Sequence, residues 1–345
     1  MHRFNVAVLA CILAALCVGL LPQQGGAQEA TPVATLATPP QPPTQPTTGP
    51  GSSEALFQGV TTIKQAPPGA FFADYWLFVP ADPLPGTSAG ESFPVVIFVH
   101  GSGAVDPNPY LAWIEHLVRR GAVVLYPVYQ QGTTGGEAQY RQNLQDDVRR
   151  ALETLEQEGV LVDLTRVAVV GHSLGGGLAV AYAASAAAAG LPVPTAVMSV
   201  APGCNSEEAT CVGQDLGAIP TTTRFLLVTE GDDPDPTGAA AVERIWAGLE
   251  DVPLDNRDVV QLVTDAHARP ALLAVHTQAL ADYDYDKPDA YDWYGTWKWL
   301  DALMSCAFDG EWCEVALGNT PEQRFMEVWS DGVPVTEAVI TDDPA

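Results

Sequence analysis

The sequence predicts an α/β fold with a doubly wound, mostly parallel sheet, because strand-like and helix-like stretches alternate along most of its 345 residues. Several strand-like stretches are continuous apolar runs, as expected of strands covered on both faces. The predicted strands are 72–79, 95–100, 122–126, 166–170, 196–200, 225–229 and 259–263. The predicted helices are 109–120, 137–157, 174–189, 238–249 and 292–308.

The composition excludes whole classes of function. The chain has 15 Lys and Arg against 42 Asp and Glu, a net charge of −27, and no basic cluster to bind phosphates. Nucleic acid is therefore excluded as a partner. A 47% hydrophobic content is that of a globular protein with a sizeable core.

The N-terminal residues predict an export signal. Val6 to Leu21 is a 16-residue run without charge, preceded by Arg3 and followed by small residues up to Ala27. This pattern predicts a signal peptide over residues 1–27, cleaved after Ala27, and a secreted or cell-surface protein. The alternative is an uncleaved segment that tethers the protein to the cell surface, although a span usually needs about 18 to 20 apolar residues.

Residues 28–55 are dominated by Pro, Thr, Gly and Gln. Such a composition buries little apolar surface, so we predict a disordered linker there. The remaining residues, 56–345, are predicted to form one doubly wound α/β domain.

Four cysteines follow the signal: Cys204, Cys211, Cys306 and Cys313. They form two pairs with members seven positions apart, which in an exported protein predicts two local disulfides, although four cysteines permit three connectivities. A zinc site is the alternative, but the short Cys-x-x-Cys spacing is missing.

The strongest functional signal is Gly171-His172-Ser173-Leu174-Gly175, which follows a predicted strand and opens a predicted Ala-rich helix. In a sharp strand-to-helix turn, the residues two before and two after the serine crowd each other, and both are glycine here. This context predicts a nucleophile elbow with the Ser173 hydroxyl exposed above the sheet. The alternative is a chance Gly-x-Ser-x-Gly in a glycine-rich chain.

With this motif the sequence resembles the α/β-hydrolase family. A second matching motif lies upstream, where the strand Val95 to Val99 leads into His100-Gly101-Ser102-Gly103. The resemblance implies an oxyanion hole with the Leu174 N–H as one donor and the N–H of Ser102 or Gly101 as the other. His100 is interpreted as a structural residue of this loop.

The family order of serine, acid and histidine implies an acid after the strand 225–229. Asp233 is the first choice there, with Asp235 and Asp232 as alternatives. The family commonly carries its aspartate three residues after the glycine that ends this strand, and in this chain that position is Pro234.

The same order implies that the base comes last. His267, just after the strand 259–263, is the first choice, because the family carries its histidine at that strand end. His276 is the alternative base; otherwise it is a packed or substrate-contacting residue in a helix beginning near Pro270.

Only about twenty residues separate two strands at 202–223, so no large cap domain is predicted. The resemblance implies a secreted serine hydrolase of the esterase, cutinase-like or dienelactone-hydrolase-like type, which cleaves a small-molecule or polymeric carboxylic ester through an acyl-enzyme. Two alternatives remain: an acyltransferase or peptidase with the same triad, and a non-catalytic surface binding module.

No cofactor or metal is predicted, since the glycines do not form the Gly-x-Gly-x-x-Gly dinucleotide pattern. The segment 283–299 is rich in aromatic and aspartate residues, so a substrate cleft or a calcium site are alternatives there. The favoured interpretation is that Trp297, Leu300 and Leu303 pack the last helix on the sheet while the aspartates face water.

Overall fold

Nine strands form one mixed sheet in the part of the chain that the structure describes. The computed structural model describes residues 38–66, 74–86, 92–130, 136–203, 215–235, 237–280 and 287–342. The strand order is β1-β2-β4-β3-β5-β6-β7-β8-β9. From β4 to β8 all neighbours are parallel, whereas β1, β2 and β9 add antiparallel edges.

The strands are β1 (Phe57–Gln65), β2 (Tyr75–Pro83), β3 (Phe93–Val99), β4 (Val123–Pro127), β5 (Val162–His172), β6 (Ala196–Val200), β7 (Arg224–Glu230), β8 (Arg257–Leu262) and β9 (Val339–Thr341). The helices are α1 (Leu111–Arg119), α2 (Glu137–Gln157), α3 (Leu174–Ser185), α4 (Gly238–Gly248), α5 (Trp297–Asp309), α6 (Cys313–Ala316) and α7 (Pro321–Arg324).

The prediction of a doubly wound, mostly parallel α/β fold is confirmed. Consecutive side chains of β3 show why the central strands are apolar throughout: Val96 and Phe98 join the hydrophobic layer beneath α1 and α5, while Val95 and Ile97 join the layer beneath α2, α3 and α4. The sequence analysis missed β1, whose residues are mostly partly exposed and rich in polar types, and β9, which has only three residues. Edge strands carry weaker hydrophobic patterns, since one side of each faces solvent.

Residues 39–54, which belong to the predicted disordered linker, pack onto the domain in the structure. The Gln41 N–H donates to Ser330 Oγ at 2.9 Å, and the Tyr294 hydroxyl donates to the Thr44 carbonyl at 2.9 Å. A Cβ at Gly51 would lie 1.9 Å from the Trp293 carbonyl oxygen, so this close approach requires glycine. The composition of the segment does not reveal this packing, because the domain, rather than the segment itself, supplies the groups that residues 39–54 contact. The predicted signal peptide lies outside the described residues.

A buried carboxylate fastens this N-terminal segment. Asp301 on α5 accepts the Gly51 N–H at 2.8 Å and pairs with His116 Nε2 at 2.9 Å and Arg120 Nε at 3.2 Å. Burial alone raises the pKa of a carboxyl group, but the charges of His116 and Arg120 outweigh it and lower the pKa of Asp301. The segment is thus held to α1 and α5 by an ionised group.

One of the two predicted disulfides is present. Cys306 and Cys313 are bonded with a sulfur–sulfur distance of 2.03 Å, which links the end of α5 to the start of α6. Cys204 and Cys211 lie outside the described residues. Within the described ranges, no helix has both the length and the apolar character needed to cross a bilayer.

The aromatic segment before α5 is packed, in part as predicted. Trp297, Leu300 and Leu303 are buried against the sheet. Asp292, however, is only 2% exposed and accepts the Asp289 N–H, so the expectation that these aspartates face water is wrong for Asp292. Residues 281–286, which hold part of this segment, lie outside the described ranges.

The turn between β5 and α3 has no room for side chains on its two flanking glycines. A Cβ on Gly171 would lie 2.0 Å from the Gly175 carbonyl oxygen, and one on Gly175 would lie 2.1 Å from the Val99 carbonyl oxygen. Ser173 between them has φ 56° and ψ −126°, a strained conformation for a non-glycine residue. The crowding expected of the predicted elbow is therefore observed.

Gly175→Ala should lower the free energy of unfolding by about 3 kcal/mol, because the added methyl group overlaps backbone atoms of the loop after β3. The control is Gly238→Ala at the start of α4, where the nearest atom to a new Cβ is 3.9 Å away. That change should raise the free energy of unfolding by up to about 1 kcal/mol. Urea denaturation measures both, and equal effects of the two substitutions would contradict this account of the turn.

Candidate active site

The candidate site lies at the carboxyl edge of the parallel strands. The loops after β3, β5, β7 and β8 carry Gly101, Ser173, Asp233 and His276 in turn. β3 pairs directly with β5, with Val99 opposite Gly171. Open α/β sheets bind their ligands at this edge, so the topology brings residues distant in sequence to one place.

Backbone hydrogen bonds hold Ser173 in its strained conformation. Its N–H donates to the Val200 carbonyl at 2.9 Å, and its carbonyl accepts the N–H groups of Gly176 at 2.8 Å and Gly203 at 3.1 Å. Strain of this kind persists only where the surroundings determine the backbone. The side chain of Ser173 is thereby set at the start of α3.

His276 contacts both Ser173 and Asp233. Its Nε2 lies 2.9 Å from Ser173 Oγ, and its Nδ1 lies 2.7 Å from Asp233 Oδ2. An ionised carboxylate only accepts hydrogen bonds, so Nδ1 carries the proton that is donated to Asp233. In the neutral ring Nε2 then has a free lone pair, which accepts the Ser173 hydroxyl proton.

The structure separates the three candidate aspartates. Asp233, the first choice, is oriented by a second bond, in which its Oδ1 accepts the Asp235 N–H at 2.8 Å. Asp235 Oδ1 accepts from the N–H and the hydroxyl of Thr237, both at 2.8 Å, and so supports the start of α4. Asp232 is exposed. Only Asp233 contacts a histidine among the three.

The preference for His267 over His276 is corrected by the structure. His267 Nε2 lies 2.9 Å from Asp331 Oδ2, and its ring packs against Trp329 with 5.5 Å between centroids. The ring of His267 is therefore held by Asp331 and Trp329 near the surface, and the structure does not bring it to Ser173. His276 takes the position that was expected for His267.

A short excursion of the chain after β8 explains this exchange. Asp265 and Leu272 form an isolated antiparallel bridge with reciprocal 2.9 Å hydrogen bonds, so residues 266–271 loop out and carry His267 away. The chain then returns, and the Ala274 N–H donates to Thr264 Oγ1 at 2.9 Å. His276 lies in a turn here rather than in the predicted helix. Pro270, inside the excursion, is the one turn signal visible in the sequence.

The N–H groups of Leu174, the residue after Ser173, and of Ser102 have no acceptor among the described residues. The Gly101 N–H, in contrast, donates to the Tyr110 hydroxyl at 3.0 Å. Gly101 itself lies against Ser173, because a Cβ on Gly101 would be 3.4 Å from Ser173 Cβ. Of the two alternatives for the second donor, the geometry favours Ser102.

His100 is a structural residue of the same loop, as interpreted from the sequence. It is fully buried, stacks on Tyr129 with 4.3 Å between ring centroids, and donates from Nδ1 to the Gly101 carbonyl at 2.7 Å. Burial lowers the pKa of His100 to about 4, so the ring is uncharged at neutral pH.

Sequence reasoning missed two of the side chains that hold this loop. Tyr110 accepts the Gly101 N–H, and Gln130 Oε1 accepts the Gly103 N–H at 2.6 Å. Ser102 lies between these two fastened positions. Neither side chain belongs to a motif, since Tyr110 stands before α1 and Gln130 follows β4, and only folding brings them to the loop.

A buried carboxyl group lies three residues before Asp233. Glu230, at the end of β7, is 4% exposed. Burial, and secondarily the negative charge of Asp233, raise the pKa of Glu230 well above its usual value. Burial thus favours the protonated form of Glu230 at this position. No group of three or more His, Cys, Asp or Glu side chains in the described ranges is arranged to hold a metal ion.

Glu230→Gln should stabilise the protein increasingly as the pH rises from 5 to 8. The folded pKa of Glu230 lies above its unfolded value, so the stability that its protonated form contributes is lost as the pH rises between the two values. The difference in unfolding free energy between the variant and the wild type should grow by up to about 1.4 kcal/mol per pH unit. Urea denaturation at several pH values measures it, and a difference independent of pH would contradict the raised pKa.

A family model matches part of the chain. Residues 82–212 match the family model described as chlorophyllase, a family of α/β-hydrolase-type esterases. The matched range includes the loop 100–103 and the turn 171–175, and it ends before Asp233 and His276. No match to the chain was found among the curated proteins. The match and the observed sheet agree on an α/β-hydrolase fold, and the match supports a carboxylic ester hydrolase.

Proposed function

We propose that this protein is a serine hydrolase that cleaves carboxylic esters through an acyl-enzyme, with Ser173 as nucleophile, His276 as base and Asp233 as acid. The observation that carries the proposal is the continuous hydrogen-bond chain from Ser173 Oγ through the His276 ring to Asp233, with contacts of 2.9 and 2.7 Å. A hydroxyl group is a weak nucleophile unless an adjacent base accepts its proton, and this chain supplies that base and its orienting carboxylate.

In the first half of the reaction, Ser173 Oγ attacks the ester carbonyl carbon while its proton moves to His276 Nε2. Asp233 stabilises the positive ring that forms and keeps the proton on Nδ1. The carbonyl oxygen becomes negative, and the free N–H groups of Leu174 and Ser102 are the donors that stabilise it. His276 then gives its proton to the alcohol that leaves, and the acyl group remains on Ser173.

In the second half, water replaces the alcohol. His276 Nε2 accepts a proton from the water molecule, whose oxygen attacks the acyl carbon. The tetrahedral intermediate collapses, the carboxylic acid leaves, and Ser173 Oγ recovers its proton from His276. The same three side chains and two N–H groups therefore serve both halves.

The match to an esterase family supports hydrolysis over acyl transfer or peptide cleavage. The assembled hydrogen-bond chain supports catalysis over a binding module. Assignment to a cutinase-like or dienelactone-hydrolase-like branch stays a prediction, which product analysis on polymeric and small esters tests.

Export is part of the proposal. The signal pattern before Ala27 is its basis, and the Cys306–Cys313 disulfide supports it, because such bonds persist mainly in oxidising compartments. N-terminal sequencing of protein recovered from the culture medium should begin at Gln28. A protein found only inside cells would contradict export.

His276→Ala should lower kcat/KM for p-nitrophenyl esters by about 10,000-fold or more, since Ser173 loses its base. His267→Ala is the matched control, because it removes a histidine of the same loop that also pairs with an aspartate. It should leave kcat/KM within about threefold, as expected of an exposed ion pair. Loss of activity in His267→Ala with retention in His276→Ala would contradict the assignment of the base.

A fluorophosphonate probe tests the nucleophile independently of the ester chosen. The wild-type protein should label covalently, whereas Ser173→Ala should not, because the reacting oxygen is absent. Intact-mass measurement gives the stoichiometry. A wild-type protein that resists the probe, or a Ser173→Ala variant that still reacts with it, would contradict the serine mechanism.

A further inference from the structure

We infer that Tyr110 and His172 are positioning residues, which join the loop of the oxyanion hole to the loop of the catalytic base through one chain of hydrogen bonds. The inference rests on the proposed function and deepens it. Neither residue touches the reacting atoms in the mechanism above, and neither role is implied by the Gly-x-Ser-x-Gly motif itself.

The chain has three links. The Gly101 N–H donates to the Tyr110 hydroxyl at 3.0 Å, and the Tyr110 hydroxyl lies 2.8 Å from His172 Nδ1. His172 Nε2 lies 2.7 Å from the carbonyl oxygen of His276. The chain of hydrogen bonds thus begins at Gly101, one residue before Ser102, and ends on the backbone of His276.

The direction of every proton in this chain is determined. A carbonyl oxygen only accepts, so His172 Nε2 carries a proton and donates it to His276. Nδ1 of the uncharged ring is then an acceptor, and the Tyr110 hydroxyl donates to it. The same hydroxyl oxygen accepts from Gly101, so each polar atom in the chain has a partner of the right kind.

Burial keeps the chain in this state. Tyr110 is 1% and His172 is 3% exposed. Burial, and secondarily the nearby His276, lower the pKa of His172 to about 4, so the ring is uncharged at neutral pH and Nδ1 is free to accept. A reversed tautomer would place an N–H against the hydroxyl proton and leave the His276 carbonyl without its donor.

The chain bears on catalysis because it fixes main-chain positions on both sides of Ser173. Gly101 precedes the proposed donor Ser102, and the His276 carbonyl belongs to the residue whose ring takes the proton. The rings of His172 and His276 also pack against each other, with 5.1 Å between their centroids, so a displacement of one ring would change the packing of the other. Misplacement of reacting groups by about 1 Å costs about 100-fold in rate.

The test compares Tyr110→Phe with Tyr182→Phe in the full-length protein. Tyr182 is equally buried, and its hydroxyl donates to the Pro192 carbonyl at 3.0 Å, away from the site. Tyr110→Phe should lower kcat for p-nitrophenyl esters by about 10- to 100-fold, with KM within about threefold. Tyr182→Phe should change kcat by less than about twofold at a comparable loss of thermal stability.

A rescue series separates positioning from packing. His172→Ala should lose at least as much kcat as Tyr110→Phe. His172→Gln should recover part of that loss, because the glutamine amide can donate toward the His276 carbonyl. Equal activity of the alanine and glutamine variants, or a kcat of Tyr110→Phe within about threefold of Tyr182→Phe, would overturn the inference.

A spectroscopic measurement keeps the test independent of activity and of the folding of these variants. In Ser173→Ala protein labelled with ¹⁵N-histidine, the His172 ring should show the neutral tautomer protonated at Nε2, and should keep it down to about pH 5. A tautomer protonated at Nδ1 would overturn the inference.

The two proposals fail differently. An active wild type with an unaffected Tyr110→Phe variant overturns the inference alone. A wild type that neither hydrolyses esters nor reacts with the fluorophosphonate overturns the proposed function, and the inference with it.

Discussion

The close approach of three backbone segments at Gly171 and Gly175 is the constraint on which the candidate site depends. Any Cβ at these positions would lie about 2 Å from a carbonyl oxygen, of Gly175 and Val99 respectively. Because of this close approach, the chain passes from β5 into α3 through a sharp turn, and Ser173 lies at the tip of that turn. The same contact places the loop after β3 against the turn, so it positions both Ser173 and the loop that carries the proposed oxyanion donor.

Parallel pairing supplies the rest of the arrangement. Because β5, β7 and β8 run in the same direction, the loops after them emerge at one edge of the sheet. Asp233 and His276 are therefore neighbours of Ser173 although 60 to 103 residues separate them from it in sequence. The central strands beneath are buried on both faces, and close packing of this kind helps to hold the contacts of a site in place.

The positions of the protons in the site follow from oxygen atoms that can only accept hydrogen bonds. The Asp233 carboxylate determines which nitrogen of His276 is protonated, and the His276 carbonyl does the same for His172. Burial then keeps His172 uncharged. The electrostatic state of the site is thus set by backbone and carboxylate oxygens whose positions the fold determines.

The pattern of residue types along the chain was sufficient to predict the features that depend on residues near each other in sequence. The α/β fold, the central strands and the turn at Ser173 were predicted because apolar runs and paired glycines act over a few positions. Asp233, the first choice among the three aspartates, contacts the His276 ring, and its register differs from the family pattern by one residue. Edge strand β1 was missed, since its pattern is that of a partly exposed strand.

The amino-acid sequence by itself determined the central strands of the sheet, the nucleophile candidate and the short segment that carries the candidate acid. Tertiary structure alone decided which histidine meets Ser173, since the bridge between Asp265 and Leu272 loops out the residues that carry His267. It also decided that residues 39–54 pack on the domain and that Tyr110 meets Gly101. The physical reason is common to all three: each contact joins groups that lie on different elements or loops of the fold, and no local pattern records which group will be the partner.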